Sequence, residues 1–225
     1  MIIKKYGIVL KRLKQKDIEL VRKQRNRNSV RKFMFYQKKI TAQEQEVWFQ
    51  SINNIYNSYF IIEVEGKKIG LINGKNDYEN KTSEGGIFIW NENYINTPVA
   101  AIASFIMMEL TFLLLDFKKT YAQVLATNTA QIKYNEHMGY QLEKKQGNKL
   151  IFSLSKSNYF LKRNRLLKAI QYLTKDEKPM SWEDLDLSNT TQEEILNLYV
   201  GLPAYIQEAL YSTCRYTPCQ DNDDK

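Results

Sequence analysis

Few side chains in this sequence could carry acid–base or ligand chemistry, and their scarcity narrows the options. His137 is the only histidine and Cys214 and Cys219 are the only cysteines, so a Cys/His zinc cluster is excluded and no metal is expected. The two cysteines, with four residues between them near the C-terminus, read as free thiols of a reducing, cytoplasmic setting. His137 has an intrinsic pKa near neutrality, but it falls near the exposed end of its helix and reads as a surface residue. Glu63 and Glu84 lie on or near central strands, where alternation leaves either one facing solvent. Arg25, Asn26 and Arg31 make the plainest binding feature, because guanidinium groups grip phosphate or carboxylate in a forked geometry. The competing reading is that Asn26 caps a helix end and both arginines are solvated. Trp48, with Phe49, reads as core or pocket wall.

The elements that hold these groups must fit in 225 residues, which is one ordinary domain with an appendage or two small ones. A chain that is 43% hydrophobic and 26% charged, with nine Gly and four Pro, is neither collagen-like nor disordered by composition. The net charge of +8 is local: residues 1–39 carry 14 Lys or Arg against only Asp17 and Glu19. Such a patch attracts polyanions, and charge alone does not choose among nucleic acid, a membrane surface and a phosphate-bearing small molecule. No targeting segment is visible, since the run Ile8–Leu10 is too short for a signal peptide. The 18-residue stretch 98–115 (PVAAIASFIMMELTFLLL) is barely long enough for a membrane span and Glu109 interrupts it, so it reads as a buried helix.

Gly7–Leu13 reads as a strand, and Asp17 offers a helix start before Ile18, Leu20 and Val21. Thr41 to Glu44 has capping-box spacing ahead of Val47, Trp48 and Ile52, which predicts a second helix. From Tyr59 the pattern is β: YFIIEVE, KIGLING and GGIFIW form a three-stranded antiparallel meander. Pro98 suits the first position of the apolar helix, with Asn96 or Thr97 as cap. Tyr121–Ala126 is a strand, Asn128 caps a short helix that stops at Gly139, and Gln141–Lys145 with Leu150–Leu154 closes the set. Beyond Ser155 the text changes: a basic helix spans Tyr159–Leu173, Pro179 breaks it, Thr191 opens another helical run, and the tail QDNDDK frays.

With those elements in place, four stretches of residues 7–155 resemble the GCN5-related N-acetyltransferase (GNAT) superfamily, in sequence order. Leu10–Met34 is similar to the opening of the branch that acetylates nucleotide-linked amino sugars and ribosomal-protein N-termini. Arg25, Asn26, Val30, Arg31 and Met34 match that branch, while Gln24 stands where it usually has Trp. Ile40–Phe49 resembles a segment with His three residues before the Trp; here that position is Gln45. GGIFIW and the helix from Pro98 resemble the strand and acetyl-CoA helix of the fold, with Pro98 and Ala100 where two glycines of the pyrophosphate loop usually stand. Asn128–Tyr140 (NTAQIKYNEHMGY) resembles the motif that starts with Asn and ends in Gly and an aromatic residue. The usual Tyr of that motif, proton donor to the leaving thiolate, is replaced by Asn135, with Tyr134 beside it.

The resemblance implies an α/β (α+β) fold: a mixed, mostly antiparallel twisted sheet flanked by helices over residues 1–155, with a helical C-terminal extension over 156–225 of unassigned role. It implies acetyl-CoA as co-substrate, no metal, and a cofactor contact at Val99, Ala100, Ala101 and Asn128. Pro98 donates nothing, but the free first-turn N–H groups that follow can still meet a pyrophosphate. Tyr134 and Asn135 are the catalytic candidates. Asn135 can stabilise a thiolate but cannot protonate it, and losing a general acid costs on the order of 10²-fold. Arg25, Asn26, Arg31 and Trp48 are the acceptor-binding candidates.

The leading expectation is therefore acetyl transfer to a small-molecule amine, with a nucleotide-linked amino sugar as the favoured acceptor. A protein N-terminal amine is the alternative acceptor. A non-catalytic binding module is the rival from a different class, drawing on Pro98, Ala100, Gln45 and Asn135 together. Nucleic acid is disfavoured, since no aromatic platform or recognition helix follows the basic helix, and an oligomer is compatible with the sequence. All of the enzyme readings require a wedge between the fourth and fifth strands counted from Gly7.

Overall fold

The computed structural model describes residues 1–188 and 190–213; Cys214, Cys219 and the QDNDDK tail lie outside the described residues. Two strands open the chain, β1 (Ile2–Lys5) and β2 (Ile8–Arg12), joined by a turn in which Tyr6 and Gly7 take φ of 51° and 73°. Positive φ at both central residues matches the twist of a hairpin, so a strand forms ahead of the one expected at Gly7–Leu13. Then come α1 (Ile18–Asn26), α2 (Asn28–Arg31) and α3 (Ala42–Ile52). The cap expected from Asp17 is not made. Its buried carboxylate instead accepts from Lys68 Nζ at 2.6 Å. The capping box of Thr41 and Glu44 is formed as its spacing predicts.

The meander is β3 (Asn57–Val64), β4 (Lys67–Asp77) and β5 (Thr82–Ile89). After it, α4 (Val99–Glu109) runs into a single π turn at Leu110–Leu114. Pro98 occupies the cap position rather than the first helical one, and the Thr97 hydroxyl accepts from the Val99 N–H at 3.4 Å. Next are β6 (Lys119–Leu125), α5 (Thr129–Met138), β7 (Gln141–Gln146) and β8 (Lys149–Ser155). The following helix, α6 (Lys156–Thr174), starts directly from the sheet at Lys156 rather than at Tyr159, because the Ser155 hydroxyl accepts the Asn158 N–H. The chain ends in β9 (Leu185–Asp186), α7 (Gln192–Tyr199) and α8 (Ala204–Thr213).

Among the described residues nine strands join in one sheet in the order β7-β8-β6-β5-β4-β3-β2-β1-β9, with β5 and β6 its one parallel pair. Alternation gives the sheet two faces. On one, Tyr59, Ile61, Leu71 and Trp90 pack against Ile18 and Val21 of α1 and Phe49 and Ile52 of α3. On the other, Leu10, Phe60, Ile62 and Ile72 pack against Phe105 and Ile106 of α4, together with Tyr159 and Ile170 of α6 and Leu198 and Ile206 of the terminal helices. Residues beyond 155 thus share a core with the residues before them.

Two features of the sequence find their partners here. No helix among the described residues is long and apolar enough to cross a membrane, and the carboxylate that interrupts the apolar stretch is fully buried. Glu109 accepts from Arg163 Nε at 2.7 Å and Nη2 at 2.6 Å, and from the Tyr159 hydroxyl. In the basic N-terminal segment, half of the 14 Lys and Arg side chains meet carboxylates. Lys5 lies buried against Asp176 (3.1 Å) and Asp184 (3.6 Å), Lys11 meets Glu63 at 2.8 Å, Arg22 and Lys23 share Glu19, and Arg27 reaches Glu92 at 2.7 Å. That pairing leaves much less free cationic surface for a polyanion than the sequence count alone implies.

Candidate active site

The sheet splits between its two parallel strands. β5 and β6 stay in register from Thr82↔Lys119 to Gly85↔Ala122 and then part. Beyond that point β5 remains paired with β4 as far as Gly70↔Ile89, and β6 with β8 as far as Leu125↔Lys149. Each strand keeps one neighbour and loses the other, which opens a wedge toward their C-terminal ends. Two glycines sit at the branch point, Gly85 and Gly86, and a Cβ at Gly86 would come within 2.9 Å of Asn73 Oδ1. Paired glycines inside a strand mark a bend or a close backbone approach, a signal available in GGIFIW.

Both chains that leave the open end lead into helices, β5 into α4 and β6 into α5. At the start of α4 the N–H groups of Ala100 and Ala101 have no hydrogen-bond partner among the described residues, while the Ile102 N–H returns to the Pro98 carbonyl at 2.9 Å. Free first-turn donors at the positive end of a helix make a ready anion site. Asn128 uses its Oδ1 as the cap of α5, accepting the Gln131 N–H at 3.2 Å.

Tyr134 and Asn135 point to different places. The Tyr134 hydroxyl donates to the Ala100 carbonyl at 2.9 Å and shares a hydrogen bond with Ser104 Oγ at 2.7 Å, so it ties α5 to the first turns of α4. Burial pushes its ionisation well above the usual phenol range. Asn135, about 100° further round the helix, is one of the two residues that α5 buries, with Met138. Its Oδ1 accepts from Gln131 Nε2 at 3.1 Å, and its Nδ2 is buried with no partner among the described residues. An unsatisfied buried amide donor is costly to keep, and it is the atom here that awaits an acceptor.

On the α1/α3 face, at the closed end of the wedge, Glu84 of β5 stands beside Tyr121 of β6 and accepts from Gln123 Nε2 at 2.5 Å. Contrary to the expectation that it simply faces solvent, Glu84 is half-buried, and its charge adds to burial in pushing the Tyr59 phenol up to about 12. Tyr121, Gln123 and Tyr59 were not among the sequence candidates, because their proximity depends on strand order. Glu63 is taken by Lys11, and His137 is exposed, its Nδ1 2.6 Å from the Lys133 carbonyl oxygen.

The acceptor-side candidates divide. Asn26 clamps the loop before α3: its Nδ2 donates to the Ile40 carbonyl and its Oδ1 accepts the Ile40 N–H, both at 2.8 Å. Arg25 donates from Nη2 to the Tyr36 carbonyl at 3.3 Å, while Nη1 is buried with no partner among the described residues. Gln45, where the resemblance led one to look for His, is 3% exposed and its Nε2 is likewise unpartnered. Arg31 is half-buried and makes no side-chain hydrogen bond among the described residues. Trp48 packs edge-on against Tyr59, with ring centroids 5.2 Å apart.

Comparison with known proteins agrees with this geometry. The acetyltransferase (GNAT) domain family matches residues 8–141. No curated protein matches the chain. Among solved structures, the spermidine N-acetyltransferase from Vibrio cholerae, in complex with CoA and spermine, superposes with a TM-score of 0.61 at 18% identity, over 69% of this chain and 99% of that one. A nucleotide-linked sugar GNAT, FdhC, gives 0.62 at 21% identity over 73% and 96%. A domain from Methanocaldococcus jannaschii DSM 2661 gives 0.60 at 22% identity over 66% and 97%. At these identities the likeness is one of fold.

Proposed function

The chain belongs to the acetyltransferase (GNAT) family, and from that premise we propose that it moves an acetyl group from acetyl-CoA to the amine of a nucleotide-linked amino sugar. The observation that carries this reading is the end of β5–β6 pairing at Gly85↔Ala122, which leaves a slot beside the free N–H groups of Ala100 and Ala101. Bound there, acetyl-CoA supplies a thioester whose carbonyl carbon the amine attacks, with C–N bond formation and C–S cleavage. Ala100 and Ala101 receive the pyrophosphate through their backbone donors. Asn135 Nδ2 donates to the departing sulfur and stabilises the negative charge on it without giving up a proton. Glu84, held by Gln123 at the floor of the wedge, accepts the proton that the amine sheds, directly or through one water. The unpartnered Nη1 of Arg25 and Nε2 of Gln45 lie on the α1/α3 face and suit an acceptor rich in phosphate and hydroxyl oxygens. We assign the acetyl-transfer unit to residues 1–155 and read 156–225 as an extension that braces it.

Acetyl-CoA titration monitored by heat tests the reading first. Binding in the micromolar range is expected, and no heat at millimolar acetyl-CoA rejects transferase activity in favour of a non-catalytic module. Turnover is then compared across a nucleotide-linked amino sugar, spermidine and a peptide with a free N-terminus. Transfer confined to the peptide would overturn the sugar assignment while leaving the enzyme intact. Tyr134→Phe separates the two neighbours on α5: it is expected to cost about 1 kcal/mol of stability in urea unfolding, through the lost hydrogen bonds to α4, and to leave kcat within about threefold.

A further inference from the structure

Across the sheet from the wedge, with β3 and β4 intervening, the end of β2 borders a cavity of about 250 Å³. Its wall combines Arg12 at the end of β2, Lys14 after it, Asn53 after α3, and Thr190, Glu194 and Leu198 from the extension. Arg12 is only 9% exposed. Its Nη2 donates to the Asn54 carbonyl at 3.1 Å, and among the described residues no carboxylate lies within ion-pair distance of it. Lys14 reaches Glu194 at 3.2 Å, and among the described residues Glu194 is the one carboxylate that lines the cavity. The Met1 amino group donates to Thr190 Oγ1 at 3.0 Å in the same wall. Burial first, and then Arg12 and Lys14, against the opposing pull of Glu194 and Asp186, hold it down to about 6. A buried guanidinium with a carbonyl as its hydrogen-bonding partner favours an oxyanion in forked geometry.

We infer that this cavity is a binding site for a small oxyanion, a phosphate or carboxylate group, held by Arg12 and Lys14 between the catalytic unit and α7. The site is independent of the acetyl-transfer reading and shares no residue with the wedge. Its occupant touches both the extension and α3, the helix that carries Gln45 and Trp48, so occupancy stiffens the acceptor side of the molecule.

The test uses the full chain with inorganic phosphate as probe, against sodium chloride at matched ionic strength. Phosphate is expected to raise the thermal midpoint where chloride does not. Arg12→Gln is expected to weaken phosphate binding about tenfold or more, as for loss of a charge-assisted bond. Glu194→Gln should tighten it about threefold, since it removes the competing negative charge while Gln still serves the capping box at Thr191. That opposite sign decides the matter even if Arg12→Gln does not fold. Equal effects of phosphate and chloride overturn the inference. So does phosphate binding that neither substitution changes, which would move the anion to the start of α4.

Discussion

Arg163→Met is expected to destabilise the protein by about 3–5 kcal/mol in urea unfolding, the largest loss of stability foreseen for any single substitution in this chain. Glu109 is 0% exposed and receives two hydrogen bonds from Arg163, at 2.7 and 2.6 Å, with a third from Tyr159. Removing the guanidinium leaves a carboxylate in an apolar core with a phenol for company, and a phenol does not cancel its charge. Tyr159 is itself buried, its ring stacked on Phe112. The double variant Glu109→Leu with Arg163→Met is expected to recover most of the loss, because a buried ion pair and a well-packed apolar pair differ little in net stability. A loss below about 1 kcal/mol in the single variant would show that the pair is reached by solvent and that the extension is only loosely attached.

Asn135→Ala is expected to lower kcat about 10²-fold while KM for acetyl-CoA stays within about threefold. The size is that of losing one preorganised donor to developing negative charge, and the selectivity for kcat follows because charge builds on sulfur only as the C–S bond breaks. Stability is a useful control here. Nδ2 has no partner among the described residues, so its removal forfeits only the Gln131 contact and some packing, about 1 kcal/mol. Steady-state kinetics with both variants on α5 therefore give a crossed pattern: Tyr134→Phe costs stability and spares rate, Asn135→Ala costs rate and largely spares stability. An unchanged kcat in Asn135→Ala would remove the amide from the chemistry and leave the thiolate to depart unaided.

What could be read from the sequence follows the range of the interactions involved. Strand and helix types follow from local pattern: the short apolar run that opens YFIIEVE, the capping box at Thr41, and the stop at Gly139, which takes φ 99° where a side chain would be strained. The apolar run 98–115 was recognisable as a buried helix because Glu109 forbade a membrane, but the partner that makes its burial tolerable stands 54 residues away. Strand β1 was missed because four residues, Ile2–Lys5, give too little alternation to count, and its turn uses Tyr6 at positive φ rather than the usual Asn or Gly. The same limit applied at the site. Glycines at 85 and 86 were visible, yet the place where β5 and β6 separate depends on which neighbours they keep. Which of Tyr134 and Asn135 turns inward is set by how α5 lies on α4, through the contact of Tyr134 with Ala100 and Ser104. No spacing within NTAQIKYNEHMGY contains that information.

The clamp between Glu109 and Arg163 also fixes an order of events at the ribosome. Every strand that borders the wedge has been synthesised by residue 125, and α5 by 138, yet the long apolar helix beside it carries a carboxylate that must stay hydrated or protonated until its counter-ion is made. That counter-ion arrives with α6. The nascent chain must therefore hold its most aggregation-prone segment unfinished until a later stretch emerges, and a gene truncated after Ser155 would yield a polypeptide with every residue assigned to the chemistry but no means of closing around it.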